Sequence, residues 1–215
     1  MGGAFVVANV VALVLVALGV GLDGGAFLLT VIAPWLSLAG WPLWATRRRG
    51  NGAAIDLGLR LRAIDLGYGL LGGLAALAAG IVAGLITASV LGDFTSAAGD
   101  EALSLAETSS PAVLVIFALM VVLGAPIAEE LTFRGLLWSG LSKGGRPVWV
   151  SIAVSTGAFA LMHFEPVRLL VLVAIGGVLG IVRWRTASLG ACIVAHAVNN
   201  LPGALGILAL GFGSH

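Results

Sequence analysis

The sequence predicts an all-α protein, a polytopic membrane helix bundle of seven transmembrane helices, or eight if one long apolar segment breaks in two. Three observations lead there. Charge is scarce: 11 Lys and Arg with 10 Asp and Glu in 215 residues cannot supply the polar skin of a soluble domain, where about 25% of residues are charged. Apolar residues make up 60% of the chain, and mean hydropathy is +1.11. Apolar runs of about 20 residues, enough for a helix to cross the hydrocarbon, recur along it. The 32 glycines follow no three-residue period, which excludes a collagen, and they suit close approach of membrane helices. A net charge of +1 gives no general attraction for nucleic acid. Cys192 is the single cysteine, so no internal disulfide forms.

The predicted spans follow in order. Residues 4–22 form an apolar run without a basic N-terminus, a span rather than a cleaved signal. Residues 26–45 start after a turn at Asp23 and stop at Arg47, Arg48 and Arg49. Residues 66–91 carry the Gly69/Gly73 and Gly80/Gly84 pairs, a helix-packing pattern shared by Gly176/Gly180. Residues 111–141 are long and hold charges, so this is the segment that breaks if there are eight spans. Residues 148–164 and 167–182 are short and are separated by Pro166, which ends or kinks a helix. Residues 188–212 complete the set. With seven spans, Arg47–Arg49, Arg60, Arg62, Lys143, Arg146, Arg183 and Arg185 all fall on one side. The positive-inside rule makes that side, and the N-terminus, cytoplasmic. The whole chain, 1–215, reads as a single integral membrane domain. Residues 1–62 form a two-helix hairpin with a basic loop, and 110–205 form the core that carries the chemistry.

An ionisable group within a bilayer is costly unless paired or wetted, which makes it a functional candidate. Glu130 and Arg134 lie four apart on one helix face and can pair. Glu129 is turned about 100° away and lacks that partner, a state suited to a general base. The bland alternative is solvated charge at a helix end. Phe159 and His163 share another face, and a histidine so placed can equally be a packing residue. His196 and Asn200, again four apart, offer two donors in one direction, suited either to a developing oxyanion or to interhelical hydrogen bonding. Cys192 shares the face of His196 but has no cationic neighbour in sequence and reads as packing. Glu129, His163 and His196 could also ligate zinc. The H-E-x-x-H spacing is absent, yet nothing in the sequence excludes a zinc site scattered over three helices.

The three motifs, E-E-x-x-x-R at Glu129, Glu130 and Arg134, F-x-x-x-H at Phe159 and His163, and H-x-x-x-N at His196 and Asn200, resemble the CAAX-protease and bacteriocin-processing (CPBP, or Abi) family over about residues 110–205. The stretch from Arg185 through Thr186, Ala187, Ser188 and Leu189 to Gly190 is similar to it as well. The resemblance implies an intramembrane glutamate peptidase with no required cofactor. By that resemblance Glu129 and His163 activate water, His196 and Asn200 hold the oxyanion, and Glu130 and Arg134 support the site. Partners are then a peptide or membrane-protein substrate and the lipid bilayer, with no nucleic acid. The compact, Gly- and Ala-rich chain suggests a bacterial plasma membrane. Two other readings compete: a non-catalytic binding or bacteriocin-immunity module of the same fold, and a proton pathway through the same carboxylates and histidines.

Overall fold

The computed structural model describes residues 24–92 and 94–213, and every regular element among them is helical. Helix α1 (Gly24–Arg49) leads through a short turn, α2 (Ala53–Asp56), to α3 (Ala63–Leu91) and α4 (Ala97–Thr108). A long α5 (Pro111–Lys143) follows, then α6 (Val148–Leu161), a 3₁₀ turn (Pro166–Arg168), α7 (Leu169–Thr186) and α8 (Leu189–Gly213). Among the described residues four segments are long and apolar enough to cross a membrane: Ala63–Leu91, Pro111–Lys143, Pro166–Thr186 and Leu189–Gly213. The protein is an integral membrane protein. The predicted first span, 4–22, lies outside the described residues.

Of the two readings of residues 111–141 the unbroken one holds, because α5 runs on to Lys143 as one helix. Two sequence expectations need correction. The fifth span stops at Leu161 rather than 164, leaving 14 residues, about 21 Å of helix. The segment between the third and fourth spans is not all loop. Ser96 caps α4, its Oγ accepting from the Gly99 N–H at 3.0 Å, and Leu105 and Ala106 are buried there.

Continuity of α5 depends on two wider turns, at Met120–Gly124 and Leu131–Leu137, in which hydrogen bonds reach five residues back. In the first, Ala125 N–H donates to the Met120 carbonyl. The next residue is Pro126, which has no N–H, so the Val121 carbonyl loses its helix donor. Asn200 of α8 supplies one, with Nδ2 at 3.0 Å. A second proline is repaired the same way. Pro42 in α1 leaves the Leu38 carbonyl without a donor, and the Thr132 hydroxyl of α5 donates to it at 2.7 Å. Backbone polar groups at membrane depth must be satisfied within the protein, and here neighbouring side chains satisfy them.

The core lies where α3 meets α7 and α8, with Ala76, Leu179, Ala191, Cys192 and Ala195 completely buried. Glycines allow the close approach. A Cβ at Gly73 would lie 2.6 Å from the Ala195 carbonyl and would collide with Val198, while Gly69 is set against Val194. The outer face of α3, including Leu71, Ile81 and Leu85, is exposed and apolar, as a lipid-facing surface should be. Gly73→Val is therefore expected to force α3 from α8 and to destabilise the fold by roughly 1–3 kcal/mol. Thermal unfolding in detergent measures this, and an unchanged midpoint would contradict the packing described.

At the basic end, residues 50–62 close over the helix termini. The free N–H groups of Leu189 and Gly190, which begin α8, donate to the Gly58 and Arg60 carbonyls at 2.9 and 3.2 Å. Ser188 Oγ lies 2.9 Å from both the Arg60 carbonyl and Asp65, sharing its one hydrogen between them. Asp56 joins Lys143 at 2.6 Å and accepts from the Asn51 N–H. The lysine hydrogen bond, then the Asn51 N–H, holds its carboxyl below the usual range.

Candidate active site

Helix α5 carries Glu129, Glu130 and Arg134 into the bundle. Glu130 and Arg134 are both 0% exposed and are joined by a 2.9 Å bond from Nη1 to Oε1, the pairing expected from their spacing. The other terminal nitrogen, Nη2, donates to the Gly176 carbonyl of α7 at 2.9 Å. The guanidinium carbon lies 4.7 Å from the centre of the Phe159 ring. Gly176 permits this seat: a Cβ there would come within 3.1 Å of Phe159 and 3.3 Å of the guanidinium.

His196 enters from α8, with Nδ1 2.9 Å from Glu130 Oε1. A carboxylate oxygen that already accepts from Arg134 is an acceptor here too, so Nδ1 carries the proton. The other ring nitrogen, Nε2, lies 3.8 Å from Glu129 Oε2, outside hydrogen-bond range but within that of an ion pair. Glu129 Oε2 and Glu130 Oε2 are buried without a hydrogen-bond partner among the described residues. Buried carboxylate oxygens left unpaired are costly and mark the place where a polar reactant gains most by binding.

Phe159 is the hub. Its ring meets His196 at 5.7 Å, His163 at 4.8 Å and Phe133 at 5.8 Å between centroids, all edge-on. His163 lies in the turn just beyond α6, its Nδ1 2.8 Å from the Phe159 carbonyl. That bond makes Nδ1 the donor and leaves Nε2 as an acceptor. His163 thus joins the group through Phe159 rather than by a hydrogen bond to a carboxylate. Asn200 lies one turn beyond His196, one amide hydrogen held by the Val121 carbonyl and its oxygen accepting from Asn199. The structure therefore brings Glu129, Glu130, Arg134 and His196 into direct contact, with His163 adjoining through one ring and Asn200 anchored one turn along α8.

Among the described residues no group of three or more His, Cys, Asp and Glu is placed to hold a metal ion. Cys192 is fully buried with its thiol beside the Ser188 and Leu179 carbonyls, as a packing residue is. Sequence reasoning treated Gly176 only as helix packing and Arg183 only as a topology charge. Arg183 in fact donates from Nε to the Arg134 carbonyl at 2.9 Å. A basic residue placed before the helix end, within an apolar turn, is the signal that could have marked it.

Residues 111–202 match the family described as type II CAAX prenyl endopeptidase, Rce1-like, a family of proteases. The matched segment begins with α5 and contains all six predicted site residues. No curated protein and no solved structure matches the chain.

Proposed function

From that match we propose that the protein is an intramembrane endopeptidase, hydrolysing a peptide bond with water activated by Glu129. The observation that carries the reading is the meeting of two adjacent carboxylates, one buried arginine and His196, drawn from helices far apart in sequence. Glu130 is neutralised by Arg134 and orients His196, which leaves Glu129 chemically distinct from its neighbour. Glu129 takes a proton from water with His163 Nε2 as the second partner, then returns it to the leaving amine. The tetrahedral oxyanion accepts from the free N–H of Asn200. It accepts from His196 Nε2 as well when that ring is doubly protonated. The substrate is a peptide or membrane-protein segment, and the family description makes a prenylated C-terminal peptide the first to try.

The test is cleavage of such a peptide by the purified chain in detergent, with and without strong chelator. Activity is expected in both. Asn200→Ala is expected to lower turnover about 10²–10³-fold, the usual cost of one oxyanion donor. Activity that disappears in chelator and returns with stoichiometric zinc would overturn the metal-free mechanism. Absence of cleavage across prenylated and plain peptides would favour a binding or immunity module.

A further inference from the structure

The basic end holds a cavity of about 470 Å³, separate from the carboxylate group and lined by Ile55, Gly58, Arg60, Trp138, Arg183 and Trp184. Arg183 is only 7% exposed. Its Nε donates to the Arg134 carbonyl and its Nη2 to the Leu57 carbonyl at 3.0 Å, and its guanidinium carbon lies 5.9 Å from the centre of the Trp138 ring. Arg60 donates weakly to the Ala187 carbonyl at 3.4 Å. All these acceptors are neutral. Among the described residues no carboxylate pairs with either arginine, although Arg62, Arg134, Lys143 and Arg168 each have one. Two guanidinium groups thus line one cavity without a counter-charge, and a buried cation held only by carbonyls keeps its charge unbalanced. Gly58 opens the space. Its φ of +68° favours glycine, and a Cβ would sit 2.9 Å from the Ala187 carbonyl and 3.1 Å from the Arg183 guanidinium.

We propose that this cavity binds the phosphate of an anionic glycerophospholipid. Guanidinium forks match phosphate oxygens, and the location selects a lipid as the source. The cavity lies where α5 and α7 end and α3 and α8 begin, and every Lys and Arg except Arg134 and Arg168 lies at this end. That is headgroup depth, where tryptophan and basic residues meet anionic lipid. Ile55, 74% exposed, and Trp184, 47% exposed, supply apolar walls beside the charge. Arg183 reaches both the cavity and the Arg134 carbonyl, so an occupied cavity also braces the turn that holds Glu130.

Native mass spectrometry of the full chain in detergent, with phosphatidylglycerol or phosphatidylcholine added, tests the site without reading peptidase activity. The wild type is expected to retain phosphatidylglycerol selectively. Arg60→Gln, an exposed change, is expected to weaken that retention about tenfold, leaving phosphatidylcholine binding and thermal stability unchanged. Arg183→Gln should abolish selectivity; if that variant does not fold, Arg60→Gln alone decides. Equal retention of both lipids by the wild type, or undiminished selectivity in Arg60→Gln, overturns the proposal. Displacement of the lipid by millimolar inorganic phosphate would make this a free-anion site, and displacement by a peptide with a free C-terminal carboxylate would make it a substrate site. Either result also overturns it.

Discussion

Glu129→Gln is expected to lower peptide cleavage by about 10²–10⁴-fold, the usual contribution of a positioned general base. The substitution keeps the side-chain shape and removes the ability to take a proton. Glu129 makes no ion pair with Arg134, and His196 Nε2 lies 3.8 Å from its carboxylate. Folding should hardly depend on its charge, so the variant should insert and unfold thermally like the wild type. Glu130→Gln separates the two acids: it disturbs the Arg134 bond and the His196 tautomer together, so stability should fall along with rate. The measurement is turnover and melting temperature on the same detergent preparations. A fully active Glu129→Gln would remove both the assigned base and the peptidase reading.

Arg134→Ala is expected to cost stability, by roughly 3–5 kcal/mol, because it leaves a buried carboxylate without its cation. The guanidinium is fully buried and touches three helices: Glu130 on its own, the Gly176 carbonyl on α7 and the Phe159 ring on α6. Arg134→Lys should rescue little, since one ammonium cannot bridge carboxylate and carbonyl while stacking on an aromatic face. Thermal unfolding of both variants checks this. An Arg134→Ala protein as stable as the wild type would mean that Glu130 finds another partner or takes up a proton.

What could be read from the sequence was local. The four-residue spacing of Glu130 and Arg134 identifies a pair that helical geometry alone brings together, and the same logic leaves Glu129 apart. Apolar run length located α3, α5, α7 and α8 to within a few residues. What could not be read depends on neighbours distant in sequence. Pro126 is visible, but not that Asn200 would repair the carbonyl it leaves open, a role added to the oxyanion donor expected there. His196 resembled a simple donor, and only α8 packing on α5 sets its ring between two carboxylates. The end of α6 was misplaced because Phe164 and Pro166 continue or close an apolar run equally well. In the structure Phe164 adopts a φ of +53°, which no helix continues through.

The 50–62 segment that closes over the start of α8 has a consequence for biosynthesis. Ribosomes make this segment well before α8, so the Gly58 and Arg60 carbonyls wait, through the synthesis of five further helices, for the N–H groups of Leu189 and Gly190. The same late arrival delivers His196 to Glu130 and Asn200 to Val121. A nascent chain halted before α8 therefore carries its acids and its arginine but no assembled centre. Under the proposed function, that order of emergence keeps the growing chain inert until α8 docks.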